Sequence, residues 1–259
     1  MTRWKLTIEY HGGRYCGSQR QPDAPTVQGV IETAIENFCQ QEIAVTFAGR
    51  TDAGVHARAQ VAHLDLDYKT KKGQARDLTG FELSKAINAY MVEESVSVID
   101  CVAVNTEFHA RFGAKNKLYT YRIMNRPHGL AIDQGLAWWV KKKLDIEAMR
   151  KAAHYLIGEH DFSSFRDAEC QAKSPIRSVD RFDIEAYEIT GGQEILFHVE
   201  GQSFLHHQVR NMVGTLTHVG EGKWTPEDVK IALERKDRKI AGTNAPPDGL
   251  YLVKIDYSK

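Results

Sequence analysis

The chain has 259 residues, of which 42% are hydrophobic and 26% are charged. This length and composition suit one large core or two modest ones and exclude an intrinsically disordered chain. Lysine plus arginine and aspartate plus glutamate both number 34, so the formal net charge is zero. Without an overall basic excess, any contact with nucleic acid must use local basic patches.

The cysteines and the apolar runs narrow the class of protein further. Cys16, Cys39, Cys101 and Cys170 are widely spaced and form no C-x-x-C pair, which argues against a cysteine-based zinc site. The N-terminal stretch "MTRWKLTIEY" alternates like a strand and lacks the apolar core of a signal peptide. No apolar run approaches the length that spans a membrane. We therefore expect a cytoplasmic protein with reduced thiols.

The first half of the chain alternates between two hydrophobic periods. Alternating or continuous apolar residues predict a strand, and apolar residues spaced three and four apart predict a helix. These rules predict strands over residues 3–10, 42–48, 59–67 and 96–104, and helices over residues 26–38 and 79–91. A glycine-rich polar loop, "HGGRYCGSQRQ", follows the first strand.

The second half repeats the same kinds of element. Strands are predicted over residues 116–124, 179–189, 194–204 and 249–257, and helices over residues 144–158 and 205–220. Asp145 is the expected N-cap of the first of these helices and Gly158 its C-terminal stop. Thr225 followed by Pro226 indicates the start of another helix.

Each half thus mixes strands with two helices in a split βαβ-like order. We expect an α+β (α/β) protein whose strands pair mostly antiparallel, because short turns join several of them. The two halves, residues 1–105 and 106–259, are alike in element order only. A cleft between two such halves is a natural place for a site.

The stretch "AGRTDAGVH" places a carboxylate in a charged loop directly after a strand. Asp52 stands close to glycine, as in an ordinary turn. Arg50 and Arg58 are nearby cations that favour its ionised form. An ionised and positioned carboxylate serves as a nucleophile or as a base. The residues alone leave a turn, a nucleophile, a base and a metal ligand open.

A metal site and a phosphate loop are alternatives for the same region. His56, His63, Asp65 and Asp67 are candidate ligands, yet the last three alternate along one strand face, which is typical of a solvated face. No H-E-x-x-H spacing occurs, and "GRTDAG" lacks the lysine and hydroxyl that end a phosphate-binding loop. We keep a metal only as an alternative.

Residues 108–122, "FHARFGAKNKLYTYR", interleave cations with aromatic rings and contain no acidic residue. Cations bind phosphates and rings stack on unpaired bases, so the mixture favours contact with nucleic acid. Tyr119 and Tyr121 share one face of the predicted strand, and packing alone also explains both. Three further basic clusters, residues 69–72, 141–143 and 234–239, are typical of a solvated surface.

A third candidate lies in "LHHQVRN", where Arg210 falls on a largely apolar helical stretch. An arginine in such a place usually has an anionic partner. That partner is a structural one or, in a functional interpretation, Asp52. The adjacent His206 and His207 point in different directions on a helix and receive no role.

Eight segments appear in an order that matches a known family: "YHGGRYCGSQRQ", "AGRTDAGVHA", "FHARF", "KLYTYRI", "GEHDFSSFR", "SPIRSV", "FLHHQVRNMVG" and "PPDGLYLV". Through them nearly the whole chain resembles the tRNA pseudouridine synthase A family. The resemblance implies the pseudouridine synthase fold, in which two halves like RNA-recognition or ferredoxin domains form a mostly antiparallel mixed sheet with helices and a central cleft. One departure is Ser18, which stands where the family often has an aromatic residue.

The resemblance also implies residue roles. Asp52 is the catalytic aspartate and Tyr119 contacts the target base. Arg50 helps to displace that base, Arg210 pairs with the aspartate, and Leu250 lines the apolar side of the pocket. The residues implied to contact tRNA are Phe108, His109, Ala110, Arg111, Phe112, Arg126, Cys170, Gln171 and Lys173.

The expected activity follows from the same resemblance. It implies a homodimer that isomerises uridine to pseudouridine at tRNA positions 38 to 40, in the anticodon stem-loop, without a cofactor or a metal. Residues 1–105 would carry the aspartate loop, and residues 106–259 would complete the cleft and the RNA-binding surface.

Two other classes of function compete with this expectation. A non-catalytic RNA-binding protein of two similar halves makes no product and tolerates changes at Asp52. A metal-dependent hydrolase using Asp52, His56 and His63 loses activity with a chelator and releases cut RNA. Isomerised and uncut tRNA formed in the presence of EDTA would leave only the synthase.

Overall fold

The computed structural model describes residues 1–69 and 74–258, and the chain divides into two compact units. The first unit contains Met1–Lys115 together with the C-terminal residues from Leu252, and the second contains Asn116–Tyr251. The expected halves, 1–105 and 106–259, therefore differ from the units in two places. Residues 106–115 and the C-terminal residues belong to the first unit.

The first unit is an antiparallel sheet with two helices. Its strands are β1 (Thr2–Tyr10), β2 (Thr46–Phe47), β3 (His56–Leu66) and β4 (Val96–Val104), and its helices are α1 (Val27–Cys39) and α2 (Gly80–Ala89). The strand order is β4-β1-β3-β2, and each of these neighbouring pairs is antiparallel. This order is the predicted split βαβ arrangement.

The helices of the first unit each begin at a threonine whose side chain caps the first turn. The Thr26 side chain caps α1 by accepting a hydrogen bond from the Gly29 N–H. Thr79 and Glu82 form a capping box at the start of α2. The buried face of α1 consists largely of residues with the predicted helical spacing: Val27, Ile31, Ala34 and Ile35.

The second unit combines mostly antiparallel strands with three helices. Its strands are β5 (Asn116–Asn125), β6 (Trp138–Val140), β7 (Gly158–Asp161), β8 (Ile176–Val179), β9 (Arg181–Ile189) and β10 (Gly192–Gly201). Its helices are α3 (Ile146–Ala153), α4 (Gln208–Gly220) and α5 (Pro226–Arg235). β10 pairs antiparallel with β5 and β9, β6 joins β5 in parallel, and β7 pairs with β8. The last strand, β11 (Leu250–Asp256), contributes residues to both units.

The predicted α+β class with mostly antiparallel pairing is confirmed, and the differences have identifiable causes. The strand predicted over residues 42–48 shortens to β2, because the Val45 N–H donates to the Glu32 carboxylate (3.0 Å) before the strand begins. Asp145 caps α3 as predicted, but α3 ends at Ala153 and a 3₁₀ turn, His154–Leu156, follows. β6, β7 and β8 were not predicted, because three or four residues are too few to display a period.

The structure adds one statement about membranes. Among residues 1–69 and 74–258, no helix has the length and apolar character needed to cross a bilayer. Residues 70–73, which include most of the first basic cluster, lie outside the described residues.

Candidate active site

The Asp52 loop connects β2 to β3 in the first unit. Its backbone turns as the sequence predicts, because the Asp52 carbonyl accepts a hydrogen bond from the Val55 N–H (3.2 Å). Asp52 is half-buried, whereas Arg50 is exposed. The turn interpretation is therefore confirmed for the backbone, and it leaves the role of the carboxylate to be argued separately.

Thr51, immediately before Asp52, fixes the loop to the rest of the first unit through hydrogen bonds. Its N–H donates to the Ser18 hydroxyl oxygen (2.8 Å), and its carbonyl accepts from the Ser18 N–H (3.2 Å). The Thr51 hydroxyl lies 2.7 Å from the Tyr10 hydroxyl. Gln60 adds a further bond, from its side-chain amide to the Gly49 carbonyl (3.0 Å). Every polar group of Thr51 is thus engaged by the protein.

Tyr10 and Ser18, which hold Thr51, are both buried. Burial raises the pKa of Tyr10 to about 12, and the negative charge of Asp52 adds to that rise. The phenol therefore stays neutral at physiological pH and keeps its hydrogen bond. Ser18 has no exposed surface, so the position that is often aromatic in the resembled family is here a packed hydroxyl.

His56 begins β3 and is built into the fold. Its ring is buried, and its Nδ1 atom accepts a hydrogen bond from the Gly12 N–H (3.0 Å). His63 is also buried, and its Nδ1 accepts from the Ala110 N–H (3.2 Å). The expected solvated face is therefore wrong at His63, because the rings of Phe108 and His109 pack against its ring. Each ring thus uses its Nδ1 atom to bond the backbone, which removes that atom as a metal ligand.

The Phe108–Phe112 segment presents two side chains to solvent. Phe112 is 77% exposed, and the Arg111 guanidinium lies 5.9 Å from the centre of its ring. Phe108 and His109 are half-buried, and Ala110 is fully buried. Of the five residues expected to contact tRNA here, Arg111 and Phe112 therefore have the most exposed side chains.

This segment is held by a fixed set of contacts. Tyr257 donates its hydroxyl hydrogen to the Ala110 carbonyl (2.7 Å), and its ring lies 5.0 Å from that of Phe108. Arg3 donates to the Phe108 carbonyl (2.9 Å) while paired with Asp65. The accessible ring of Phe112 is thus carried on an anchored backbone.

Two tyrosines of β5 differ in burial although they share a strand face. Tyr121 is fully buried and donates its hydroxyl hydrogen to the Pro246 carbonyl (2.7 Å). Tyr119 is half-buried, and its ring packs edge-on against Phe204 with the centroids 5.4 Å apart. Packing therefore explains Tyr121, while Tyr119 retains accessible ring surface.

Arg210 lies on α4 and is buried. Its Nε donates to the Ala245 carbonyl (2.7 Å), and the Ala245 N–H donates to the Arg210 carbonyl (3.2 Å). Burial raises the pKa of Tyr121 well above its usual value, and the positive charge of Arg210 acts against that rise. The arginine is therefore held beside Tyr121 by the 245–246 backbone. Its pairing with Asp52 stays a prediction.

The remaining expected site residues lie in the second unit. Arg126 donates to the carbonyls of His128 (3.1 Å) and Gly129 (2.9 Å) in the turn after β5. Leu250 is buried at the start of β11. Cys170 is half-buried, and Gln171 and Lys173 are exposed.

The Cys170–Lys173 stretch follows Asp167, whose carboxylate lies 2.7 Å from His207 Nδ1. The Glu169 N–H and the His207 ring lower the pKa of Asp167. This contact gives His207 a structural partner. Sequence reasoning assigned no role to either histidine of the pair.

Sequence reasoning also missed four residues that hold the site elements: Arg3, Tyr10, Ser18 and Tyr257. Each makes its contact with a residue far away in the chain, and no local sequence pattern indicates such a contact. The only available sign was Ser18, which departs from the aromatic residue frequent in the resembled family.

Comparisons with known proteins agree over the full length. Residues 6–112 and 152–258 match a family model described as tRNA pseudouridine synthase. The chain is 48% identical over 260 residues to tRNA pseudouridine synthase A of Brucella anthropi, covering 100% of this chain and 99% of that protein. It is 47% identical over 260 residues to the protein of the same name from Brucella ovis, with the same coverage.

Proposed function

The chain belongs to the tRNA pseudouridine synthase family and is an isomerase, and from this premise we propose that it converts uridine to pseudouridine in the anticodon stem-loop of tRNA, at positions 38 to 40. The observation that carries the proposal is the Asp52 loop. It places a half-buried carboxylate on a backbone fixed from behind by Ser18 and Tyr10. A positioned carboxylate is the group that covalent or base catalysis needs.

The reaction detaches uracil from its sugar, turns it and reattaches it through carbon. Nothing is oxidised and no atom is added overall, so the isomerisation needs neither a redox cofactor nor a metal. Ionised Asp52 acts by attacking the sugar carbon, by attacking the base, or by removing a sugar proton. These three routes share the requirement for a charged carboxylate close to the target nucleotide.

The remaining site residues take complementary roles in this proposal. Arg210 pairs with the Asp52 carboxylate, and Arg50 displaces the target base. Tyr119 stacks against the detached uracil through its accessible ring, and Leu250 forms an apolar side of the pocket. The accessible ring and the buried leucine suit these roles.

Binding of tRNA must offset the cost of taking a base out of its stack, which is roughly a few kcal/mol. Arg111 and Phe112 suit this task, since a guanidinium binds phosphate and an exposed ring stacks on a base. Arg126 and the 170–173 stretch extend the proposed RNA surface. A homodimer and a cytoplasmic location complete the proposal.

The experiment that tests the function uses unmodified tRNA transcripts. The protein is incubated with the transcript with and without EDTA, and pseudouridine is mapped by chemical modification and primer extension. We expect uncut tRNA with pseudouridine at positions 38 to 40. Bound but unmodified tRNA would indicate a non-catalytic RNA-binding protein, and EDTA-sensitive cleavage would indicate a hydrolase. Pseudouridine elsewhere would contradict the proposed target alone.

A further inference from the structure

We propose that Ser18 is a positioning residue, which fixes the Asp52 loop in the shape that catalysis requires. The inference rests on the proposed function in one respect, because it takes Asp52 to be the catalytic group. Ser18 itself lies behind the loop, in the glycine-rich segment after β1. It acts on the reaction only through Thr51.

The contact between Ser18 and Thr51 is a two-sided clamp. The Ser18 hydroxyl accepts from the Thr51 N–H at 2.8 Å, and the Ser18 N–H donates to the Thr51 carbonyl at 3.2 Å. A backbone contact alone would leave the Thr51 N–H without this acceptor. Only a side chain with an oxygen on Cβ supplies it here, which is what serine provides.

The clamp is rigid because Ser18 is itself fixed. The Ser18 carbonyl accepts from the Gln28 N–H (3.0 Å), and the Gly17 carbonyl accepts from the Val27 N–H (3.3 Å), both in the first turn of α1. Gly17 has φ +94°, and a Cβ there would lie 2.7 Å from the Thr51 carbonyl oxygen. A side chain would not fit at position 17, so Gly17 lets this segment pack directly against the backbone of the Asp52 loop.

Tyr10 holds the side chain of Thr51, whereas Ser18 holds its backbone. Its hydroxyl lies 2.7 Å from the Thr51 hydroxyl, and both groups are buried. The backbone immediately before Asp52 is thus tied to β1 through Tyr10 and to α1 through Ser18. Loss of either tie lets the carboxylate shift, and a displacement of about 1 Å in an active site can lower a rate by roughly a hundredfold.

The test compares single-turnover rates at saturating enzyme with tRNA affinity. We expect Ser18→Ala to lower the rate roughly ten- to a hundredfold, while its Kd for unmodified tRNA stays within about twofold of wild type, because Ser18 has no exposed surface that RNA could contact. Tyr10→Phe keeps the buried ring, removes the other tie, and shifts the rate in the same direction. It provides a second variant if Ser18→Ala fails to fold.

The matched control is Ser164→Ala in the second unit. Ser164 is also fully buried, and its hydroxyl donates to the Ala232 carbonyl (2.6 Å). The substitution therefore also removes a buried hydrogen bond between a serine hydroxyl and a distant backbone group, and we expect an unchanged single-turnover rate. A wild-type rate in folded Ser18→Ala, or an equal loss in Ser164→Ala, would overturn the inference.

Hydrogen exchange separates failure of the clamp from failure of the proposed function. We expect the Thr51 amide to exchange at least about tenfold faster in Ser18→Ala than in wild type, with no RNA present. An unchanged exchange rate of the Thr51 amide would contradict the proposed clamp, whether or not the enzyme forms pseudouridine. Wild-type activity in an Asp52→Asn variant would instead contradict the assignment of Asp52 as the catalytic group, even if the Thr51 amide exchanges as expected.

Discussion

Arg3 and Asp65 form a two-pronged ion pair across β1 and β3, with Nε 2.8 Å from Oδ1 and Nη2 2.6 Å from Oδ2. The two residues are direct partners in the strand register. The remaining nitrogen of Arg3 donates to the carbonyls of Thr106 and Phe108. One guanidinium therefore joins the sheet to the segment that carries the exposed Phe112 ring.

The first prediction concerns Arg3→Lys. Lysine keeps the charge but loses the fork that bonds the carboxylate and the carbonyls together. We expect the free energy of unfolding to fall and tRNA affinity to weaken, because Phe112 loses its anchored backbone. Urea unfolding and a tRNA binding titration measure the two effects.

The control for Arg3 is Arg181→Lys, since Arg181 of β9 forms ion pairs with Asp183 on the same strand and with Glu200 on β10, and lysine removes its fork in the same way. We expect its tRNA affinity to match wild type. Equal affinity of Arg3→Lys and wild type would show that the segment does not need this anchor.

The second prediction concerns pH and His63. Burial and the charges of His109 and Arg3 lower the pKa of His63. As the pH falls below about 6.5, the unfolded chain takes up a proton that the folded chain resists, so the free energy of unfolding decreases. His63→Gln does not titrate, and its side-chain oxygen can still accept from the Ala110 N–H.

We therefore expect wild type to lose stability relative to His63→Gln below about pH 6.5. The difference between the two unfolding free energies, measured by urea titration at several pH values, isolates His63 from the other histidines. Parallel profiles for the two proteins would contradict the assignment.

The third prediction tests how α4 positions Arg210. Gly214 is one helical turn after Arg210, and a Cβ there would lie 1.7 Å from the Thr243 carbonyl oxygen. We expect Gly214→Ala to destabilise the protein by about 1–3 kcal/mol and to lower activity, because the 243–245 backbone that receives Arg210 must move. Gly129→Ala, where the added methyl meets no atom within 4 Å, is the matched stability control. Equal unfolding midpoints for the two variants would be the adverse result.

The fourth prediction separates the ring of Tyr119 from its hydroxyl. Tyr119→Phe keeps the edge-on contact with Phe204 and the accessible face, whereas Tyr119→Ala removes both. We expect the single-turnover rate to fall further in Tyr119→Ala than in Tyr119→Phe. A near-normal rate in Tyr119→Phe would exclude an essential hydroxyl, and a near-normal rate in Tyr119→Ala would exclude stacking.

The sequence predicted the long elements well because their signals are local. The apolar face of α1 and the Thr225–Pro226 start of α5 both follow from spacing and capping within one segment. The length of β2 was overestimated because the side chain of Glu32, on α1, accepts a hydrogen bond from the Val45 N–H. His63 was misplaced for the same reason, since the Phe108–Phe112 segment that covers it lies far away in the chain.

The site was predicted unevenly. The family resemblance pointed to Asp52, Tyr119 and Arg210, and the structure now gives the local surroundings of each within its own unit. The family resemblance could not indicate the clamp on Thr51, because Ser18 replaces a frequent aromatic residue. The hydrogen bond of Ser18 also depends on a backbone N–H that is distant in the chain.

The most direct test of the account is the activity of Asp52→Asn on unmodified tRNA. Asparagine has nearly the same shape but carries no charge and cannot act as the nucleophile or base. The account predicts that pseudouridine formation is abolished while the Kd for tRNA stays close to wild type. Pseudouridine formed at a rate comparable to wild type would contradict it.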